Sequence, residues 1–176
     1  MNEAEVIREI LQGHVDRYSE IVKEYQGVVA DLCYKLGVGN EDVEEMTQRV
    51  FVALYTSLPR FQFQSKLSTF IYRITVNTVC KERRYQQRII SASETTELNY
   101  LQSGELNAEQ SIIREETYRQ LHQAIGRLMK EQRTAIVLYT FDEFSYADIA
   151  EVMECTVAKV ESLIFRARKN LRKMLE

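Results

Sequence analysis

Pro59 is the sole proline among 176 residues, and only six glycines accompany it, so very few points oblige a helix to stop. Proline removes a backbone donor and clashes with the preceding turn, and glycine costs about 1 kcal/mol in a helix interior. Where both are scarce, long helices are the favoured local structure. The apolar residues agree, recurring at steps of three and four along most of the chain. The predicted fold class is all-α.

Helix signals divide this pattern into elements. Asn2 is placed to cap a short helix ending at Gly13, and a longer helix follows, with Tyr18, Ile21, Val22, Tyr25, Val28, Val29 and Leu32 as its core stripe and its end near Gly37. Asn40 reads as the N-cap of a third helix whose first turn holds Glu41, Asp42, Glu44 and Glu45. Its buried seam is Val43, Met46, Val50, Leu54 and Leu58, and Pro59 ends it. After the loop PRFQFQSKL, Ser68 is placed to cap a fourth helix running to about Arg88. From Ile89 to Ala108 the period is lost and Ser, Thr, Asn and Glu dominate, which predicts a linker. Periodicity returns with Ile113, Thr117, Leu121, Ala124, Ile125 and Leu128, then with Ala135, Ile136, Leu138 and Tyr139. The expected architecture is two small helical domains, residues 1–88 and 112–176, joined by a flexible acidic linker at 89–111.

A composition of 45% apolar and 28% charged residues is ordinary for globular chains. No apolar run approaches the roughly 20 residues of a bilayer span, and the start MNEAEVIREI is acidic where a signal peptide is basic and then apolar. A cytoplasmic protein with no membrane insertion is expected. Cys33, Cys80 and Cys155 are odd in number and form no CxxC pair, which indicates neither a disulfide framework nor a zinc site. They read as reduced, buried thiols, with Cys80 the one whose cationic neighbours would lower its pKa.

The net charge of −3 conceals a strong segregation. Residues 1–48 carry 4 Lys/Arg against 11 Asp/Glu, net −7, and residues 49–88 carry 8 against 1, net +7. Residues 89–118 carry 1 against 6, net −5, and residues 119–176 carry 10 against 8, net +2, with six of those ten bases beyond residue 158. Two basic segments separated by an acidic one fit two contacts with a polyanion; solvated helix faces are the plainer alternative.

Each basic segment has internal order. Ser145 and Asp148 form a capping-box pattern before YADIAEVM, Glu154-Cys155 is a short turn, and Thr156 is placed to cap the last helix, which is helix-turn-helix spacing. In that helix Val157, Val160, Ile164, Ala167, Leu171 and Met174 make an apolar stripe, with Lys159, Ser162, Arg166, Lys169 and Lys173 opposite and Arg168 and Arg172 at the flanks. Such a face offers cations and a hydroxyl to a major groove. In the fourth helix Arg73, Asn77, Lys81, Arg84 and Arg88 share one face. Before and beside it, Phe61, Phe63, Phe70 and Tyr72 are interleaved with Lys66, Ser68 and Thr69, a mixture suited to stacked bases and phosphates. Phe70, next to Ile71 and Ile74, fits a core position better than a stacking one.

With these residues in view, the chain resembles a bacterial sigma factor of the extracytoplasmic function group. EDVEEMTQRVFVALYTSLPRFQFQSKLSTFIYRITVNTVCKERR is similar to the family's region 2, and LMKEQRTAIVLYTFDEFSYADIAEVMECTVAKVESLIFRARKNLRKML to its region 4. The resemblance implies a subunit that binds core RNA polymerase, recognises minus-35 and minus-10 promoter elements and helps open the duplex, for a stress or envelope regulon, with no catalysis and no cofactor of its own. It implies docking on the β′ clamp helices through Asp42, Glu45, Gln48, Phe51 and Leu54, with the β subunit as a further contact. It implies minus-10 contacts from Phe63, Lys66, Ser68, Thr69, Tyr72, Arg73, Asn77, Lys81 and Arg84, the loop Arg60 to Leu67 forming a pocket for an extruded base. Minus-35 contacts fall to Lys159, Ser162, Phe165, Arg166, Arg168 and Lys169, and an anti-sigma protein is implied as a further partner. Phe70 stands where the family very often has Trp, and Glu161 and Leu163 where Arg or Lys is common.

Two other classes of function compete. A helix-turn-helix regulator that binds closed duplex without polymerase would account for the last two helices, yet it has no use for the basic, aromatic segment from Phe61 to Arg88. An enzyme with a metal at Glu41, Asp42, Glu44 and Glu45 would need ligands that the two histidines, His14 and His122, do not supply in any ligand spacing.

Overall fold

A glycine in the left-handed region closes each of the first two helices of the computed structural model, which describes residues 2–92 and 119–175. Helix α1 (Glu3–Leu11) starts where Asn2 Oδ1 accepts the Glu5 amide at 3.4 Å, and it ends at Gly13, φ +108°. Helix α2 (Tyr18–Lys35) ends at Gly37, φ +88°, where the Gly37 amide donates to the Tyr34 carbonyl at 2.8 Å and the Val38 amide to that of Cys33 at 3.1 Å. This paired closure satisfies carbonyls that the helix itself leaves open, and it turns buried Val38 back onto the core.

Helix α3 (Val43–Ser57) follows a 3-10 turn over Asn40–Asp42. Asn40 therefore does not cap it. Asp42 holds the N-cap position with no side-chain bond, and Glu44 and Glu45 in the first turn complement the dipole instead. Helix α4 (Leu67–Ala92) begins ahead of Ser68, because burial of Leu67 seeds the first turn and the Phe70 amide already donates to the Lys66 carbonyl at 3.2 Å. It also runs past Arg88, four residues into the segment expected to be linker. The rest of that segment lies outside the described residues, as do Ile113 and Thr117. Val28, assigned to the core stripe of α2, is 40% exposed, since the seam passes through Ile21, Val29 and Leu32.

The remaining helices are α5 (119–127 among the described residues), α6 (Lys130–Thr140), α7 (Tyr146–Met153) and α8 (Val157–Leu175). The capping box forms as its spacing predicts: the Asp148 amide donates to Ser145 Oγ at 3.2 Å, the Ser145 amide to Asp148 Oδ2 at 3.1 Å, and the two side chains also bond directly. Val160, Leu163, Ile164 and Ala167 bury one side of α8 against α6 and α7, while Val157 and Met174, at its ends, stay exposed. Among the described residues the fold is all-α, with one set of helices in α1–α4 and a second in α5–α8.

One continuous hydrophobic cluster runs through both halves. At its centre the carbonyl of Leu36 accepts from Arg83 Nη1 of α4 at 3.1 Å and from Arg133 Nη1 of α6 at 3.2 Å. Arg83 also reaches the Gly37 and Gly126 carbonyls, and Arg133 those of Ile125 and Leu128. His122 stacks on Tyr34 with centroids 4.4 Å apart, and burial, followed by the nearby Arg83 and Arg133 charges, lowers its pKa. Cys33 is buried and its thiol is pushed up to about 12. The Cys80 thiol is raised as well, because burial outweighs Lys130, Arg133 and Arg83, so the lowered pKa expected of it does not arise.

Two stability predictions follow from these ends. Gly37→Ala puts a side chain at φ +88° with its Cβ 2.7 Å from Arg83 Nη1, and urea unfolding of that variant should show a loss of roughly 1–3 kcal/mol. Ser145→Ala should cost about 1 kcal/mol at neutral pH. The Ser145 hydrogen bonds hold the Asp148 carboxyl below its ordinary value, so that part of the stability is present above pH roughly 4 and is lost as pH falls through the folded-state value. The gap between the unfolding curves of Ser145→Ala and wild type should therefore narrow in acid, leaving the part that the Asp148 amide bond to Ser145 Oγ contributes.

Candidate nucleic-acid interface and docking face

Helix α8 is presented by the turn before it. Glu154 adopts φ 50°, ψ 49°, the left-handed cap that ends α7, and Thr156 Oγ1 then accepts the Lys159 amide at 3.2 Å. Asn170 Nδ2, donating to Gln132 Oε1 at 2.9 Å, ties the helix to α6. On the outer face Lys159, Ser162, Phe165, Arg166, Arg168 and Lys169 are all exposed, as expected of them. Phe165 is 69% exposed, a large apolar ring in water. Tyr146, Glu161, Ser162, Phe165, Arg166 and Lys169 line an open cleft of about 660 Å³. Arg168 sits over the Tyr139 ring at 5.2 Å, and Lys159 is paired with Glu131 at 2.8 Å. Leu163 faces the core, which is why an apolar residue stands there.

The second cationic face belongs to α4. Asn77, Lys81, Arg84 and Arg88 are exposed in a row, as is Lys66 at the helix start, while Ser68 and Thr69 are half-buried in the first turn. Thr75 and Thr78 return their hydroxyls to the Ile71 and Ile74 carbonyls at 2.8 Å, so these helix-interior hydroxyls are satisfied locally. In the loop before α4 Phe61 is buried, and Phe61 and Phe70 pack at 4.9 Å, so Phe70 is core. Phe63 differs. It is 43% exposed, holds φ 56°, and packs on Phe61 at 4.9 Å with the Arg8 guanidinium 5.7 Å from its ring. A bulky residue in that region is strained by roughly 1–3 kcal/mol, so the surrounding loop must hold the ring in place.

Tyr72 and Arg73 are not open. The Tyr72 hydroxyl donates to Asp142 Oδ1 at 3.4 Å and its ring packs on Phe144 at 4.7 Å. Burial and then the Asp142 carboxylate push the phenol above its ordinary value. Arg73 Nη1 donates to Glu154 Oε1 at 2.9 Å, and its guanidinium lies 5.2 Å from the Phe70 ring.

On α3 the structure separates the expected docking residues into two groups. Asp42, Glu45 and Gln48 are exposed, but Phe51 (7%) and Leu54 (0%) are buried. Both lie on the inward seam with Met46, Val50 and Leu58, so neither presents a surface to a partner. The exposed face instead continues through Val52, 66% exposed, and Tyr55, at three- and four-residue steps from Gln48. That spacing was legible in the sequence, opposite the seam. Glu45 pairs with Arg49 at 2.7 Å, and Arg49 reaches Glu82 of α4 at 2.5 Å, which fixes the two helices. No helix of the described residues is long and apolar enough to cross a membrane.

Residues 21–89 match the family model for sigma-70 region 2, and residues 118–171 match the model for sigma-70 region 4. The chain is 30% identical to the RNA polymerase sigma-H factor of Pseudomonas aeruginosa, covering 98% of this chain and 93% of that one. It is 32% identical to the ECF RNA polymerase sigma-E factor of Escherichia coli K12, over 93% and 89%. Among solved structures, the sigma factor RpoE in complex with the anti-sigma factor NepR from Bartonella quintana has the same fold, with a TM-score of 0.65 at 21% identity over 90% of this chain and 96% of that one. Two ordered helical regions, each matched by its own family model, and relatives alike over nearly their whole length place this chain among the extracytoplasmic function RNA polymerase sigma factors of the sigma-70 family.

Proposed function

We propose that this chain docks on core RNA polymerase, reads a minus-35 duplex with α8, and captures a melted minus-10 strand with α4 and the loop before it. The observation that carries this reading is one chain bearing two cationic helix faces of different character. Helix α8 projects Ser162, Phe165 and Arg166 from a capped helix-turn-helix, which suits base edges in a major groove, with Lys159, Arg168 and Lys169 for phosphates. Helix α4 carries exposed Asn77, Lys81 and Arg84, and the segment before it the exposed ring of Phe63 and the cation Lys66, which suits unstacked bases and a single backbone. Ser68, Thr69, Tyr72 and Arg73 complete that face. Extruding a base costs a few kcal/mol, and stacking at about 1–3 kcal/mol per base with edge hydrogen bonds offsets it. Opening then needs a pocket and no nucleotide hydrolysis.

The docking face on the polymerase's β′ clamp helices is Asp42, Glu45 and Gln48, extended by Val52 and Tyr55, with the β subunit as a further contact. The functional division is residues 1–88 for polymerase and minus-10 binding, 89–111 as linker and 112–176 for minus-35 binding. The chain works in the cytoplasm as an initiation factor without catalysis of its own. A neighbour of like fold is held by an anti-sigma factor, which supports a protein inhibitor of that kind here.

Run-off transcription with core polymerase on genomic promoter fragments tests the reading: transcripts should appear only with this protein, and their shared upstream sequences should define both elements. Transcripts indifferent to its presence, together with a failure to co-elute with core, would refute it in favour of a duplex-binding regulator. Arg166→Ala should weaken holoenzyme binding to the matching promoter by roughly 1–3 kcal/mol and leave core binding unchanged. Asn77→Ala should slow open-complex formation, followed by permanganate reactivity of unpaired thymines, far more than closed-complex formation. Equal opening by variant and wild type removes Asn77 from the site.

A further inference from the structure

One carboxylate stands in the cationic reading face of α8. Glu161 is exposed and lines the open cleft there, with Ser162, Phe165, Arg166 and Lys169 of the same helix and Tyr146 of α7. At about 100° per residue it shares a stripe with Phe165 and Arg168, next to the stripe of Ser162, Arg166 and Lys169. A base edge lying one turn before Phe165 would therefore meet an acid among cations. We infer that Glu161 sets the base choice of α8, its carboxylate accepting from the N4 amino group of a cytosine in the major groove. The inference rests on reading α8 as the helix that enters the minus-35 duplex.

Nothing in the fold uses this carboxylate. Among the described residues it has no hydrogen-bond or ion-pair partner. Its helical neighbours three and four positions away are Val157, Ala158, Ile164 and Phe165, none of them charged, so no pair along the helix holds it. The first turn of α8 ends before it and contains no acid. The helix dipole acts mainly within that turn, so it does not account for Glu161 either. Two nearby cations are engaged elsewhere, Lys159 on Glu131 at 2.8 Å and Arg168 over the Tyr139 ring at 5.2 Å. By contrast Glu131, Asp142, Asp148 and Glu154 of the same half each hold a donor.

The chemistry of base edges decides what such a group selects. A carboxylate only accepts, so in the major groove it is drawn to an exocyclic amine, N4 of cytosine or N6 of adenine. Adenine also presents N7 beside its amine, an acceptor that opposes the second carboxylate oxygen. Guanine offers O6 and N7, and thymine O4, all acceptors. Cytosine is the one base with a donor and no acceptor on that edge. Phosphates repel the same group, so Glu161 gains nothing from the backbone and its contribution depends on the base it faces. A rise of about 1.5 Å per residue puts it about 7.5 Å along α8 from Arg166, roughly two base-pair steps of about 3.4 Å. Its cytosine should therefore lie within about three positions of the base that Arg166 reads.

The test uses the full-length chain with core RNA polymerase. A promoter that it transcribes in run-off assays is randomised through the minus-35 element, holoenzyme-bound fragments are separated from the pool, and both fractions are sequenced. Wild type should favour cytosine at one position over each other base by roughly fivefold or more. Arg166→Ala should relax a different position nearby, which marks where α8 lies. Glu161→Gln should move the cytosine position to adenine, because an amide serves N6 and N7 together, and Glu161→Arg should move it to guanine. Core binding and the preference at the Arg166 position should not change in either. Should one variant lose helix content by circular dichroism, the other decides alone. An unchanged base preference, or a gain in affinity spread evenly over all sequences as relief of phosphate repulsion would give, overturns the proposal. An element selected by wild type, whatever its bases, shows separately that the minus-35 reading stands; no selected element overturns that reading and the inference with it.

Discussion

The Leu36 carbonyl, at the C-terminal end of α2, is the group on which the arrangement of the molecule turns. A helix C-terminus carries partial negative charge and unsatisfied carbonyls, and here two guanidiniums answer it from opposite sides, Arg83 from α4 and Arg133 from α6. Arginine suits this place because its planar fork can hold several carbonyls at once while remaining charged. Gly37 makes the approach possible, since its positive φ turns the chain away sharply and its lack of a Cβ leaves room for the Arg83 guanidinium. From this point α4 is fixed in orientation, and its outer face follows.

Each functional helix divides inside from outside by the same geometry. In α3, α4 and α8 the inward residues are mostly apolar and nearly fully buried, while the outward ones are largely polar, with Val52 and Phe165, and Phe63 in the loop before α4, as exposed apolar exceptions. An exposed aromatic leaves much of its ring outside the chain's own packing. At Phe63 it also carries backbone strain, which marks the loop as shaped for contact rather than for stability. A net charge of −3 is compatible with a polyanion partner because the cations are gathered on two faces and the acids lie largely elsewhere.

Much of this was legible in the residues. The paucity of breakers predicted helices, Gly13 and Gly37 their ends, and Ser145 with Asp148 the start of α7, because these depend on local sterics and hydrogen bonds within a few residues. Asn40 and Ser68 misled for a related reason: a residue able to cap does so only if the chain enters at that point, and burial of Leu67 moved the entry of α4 forward. Phe51 and Leu54 were assigned to docking by resemblance, whereas the seam with Val50 and Leu58 turns them inward. Cys80 shows the same limit for chemistry, since cationic neighbours were visible in the sequence and the desolvation that outweighs them was not.

Sequence alone therefore determined the helices, the segregation of charge and the two cationic helix faces, since periodicity and composition are properties of the chain itself. Tertiary structure decided which of those residues are free. Lys81 and Arg84 remain open while Tyr72 and Arg73 are occupied by Asp142 and Glu154, residues about 70 and 81 positions away in the chain. No local rule specifies that meeting, because it depends on how two separately encoded helix sets pack around one carbonyl, and a contact between distant segments leaves no period in the sequence.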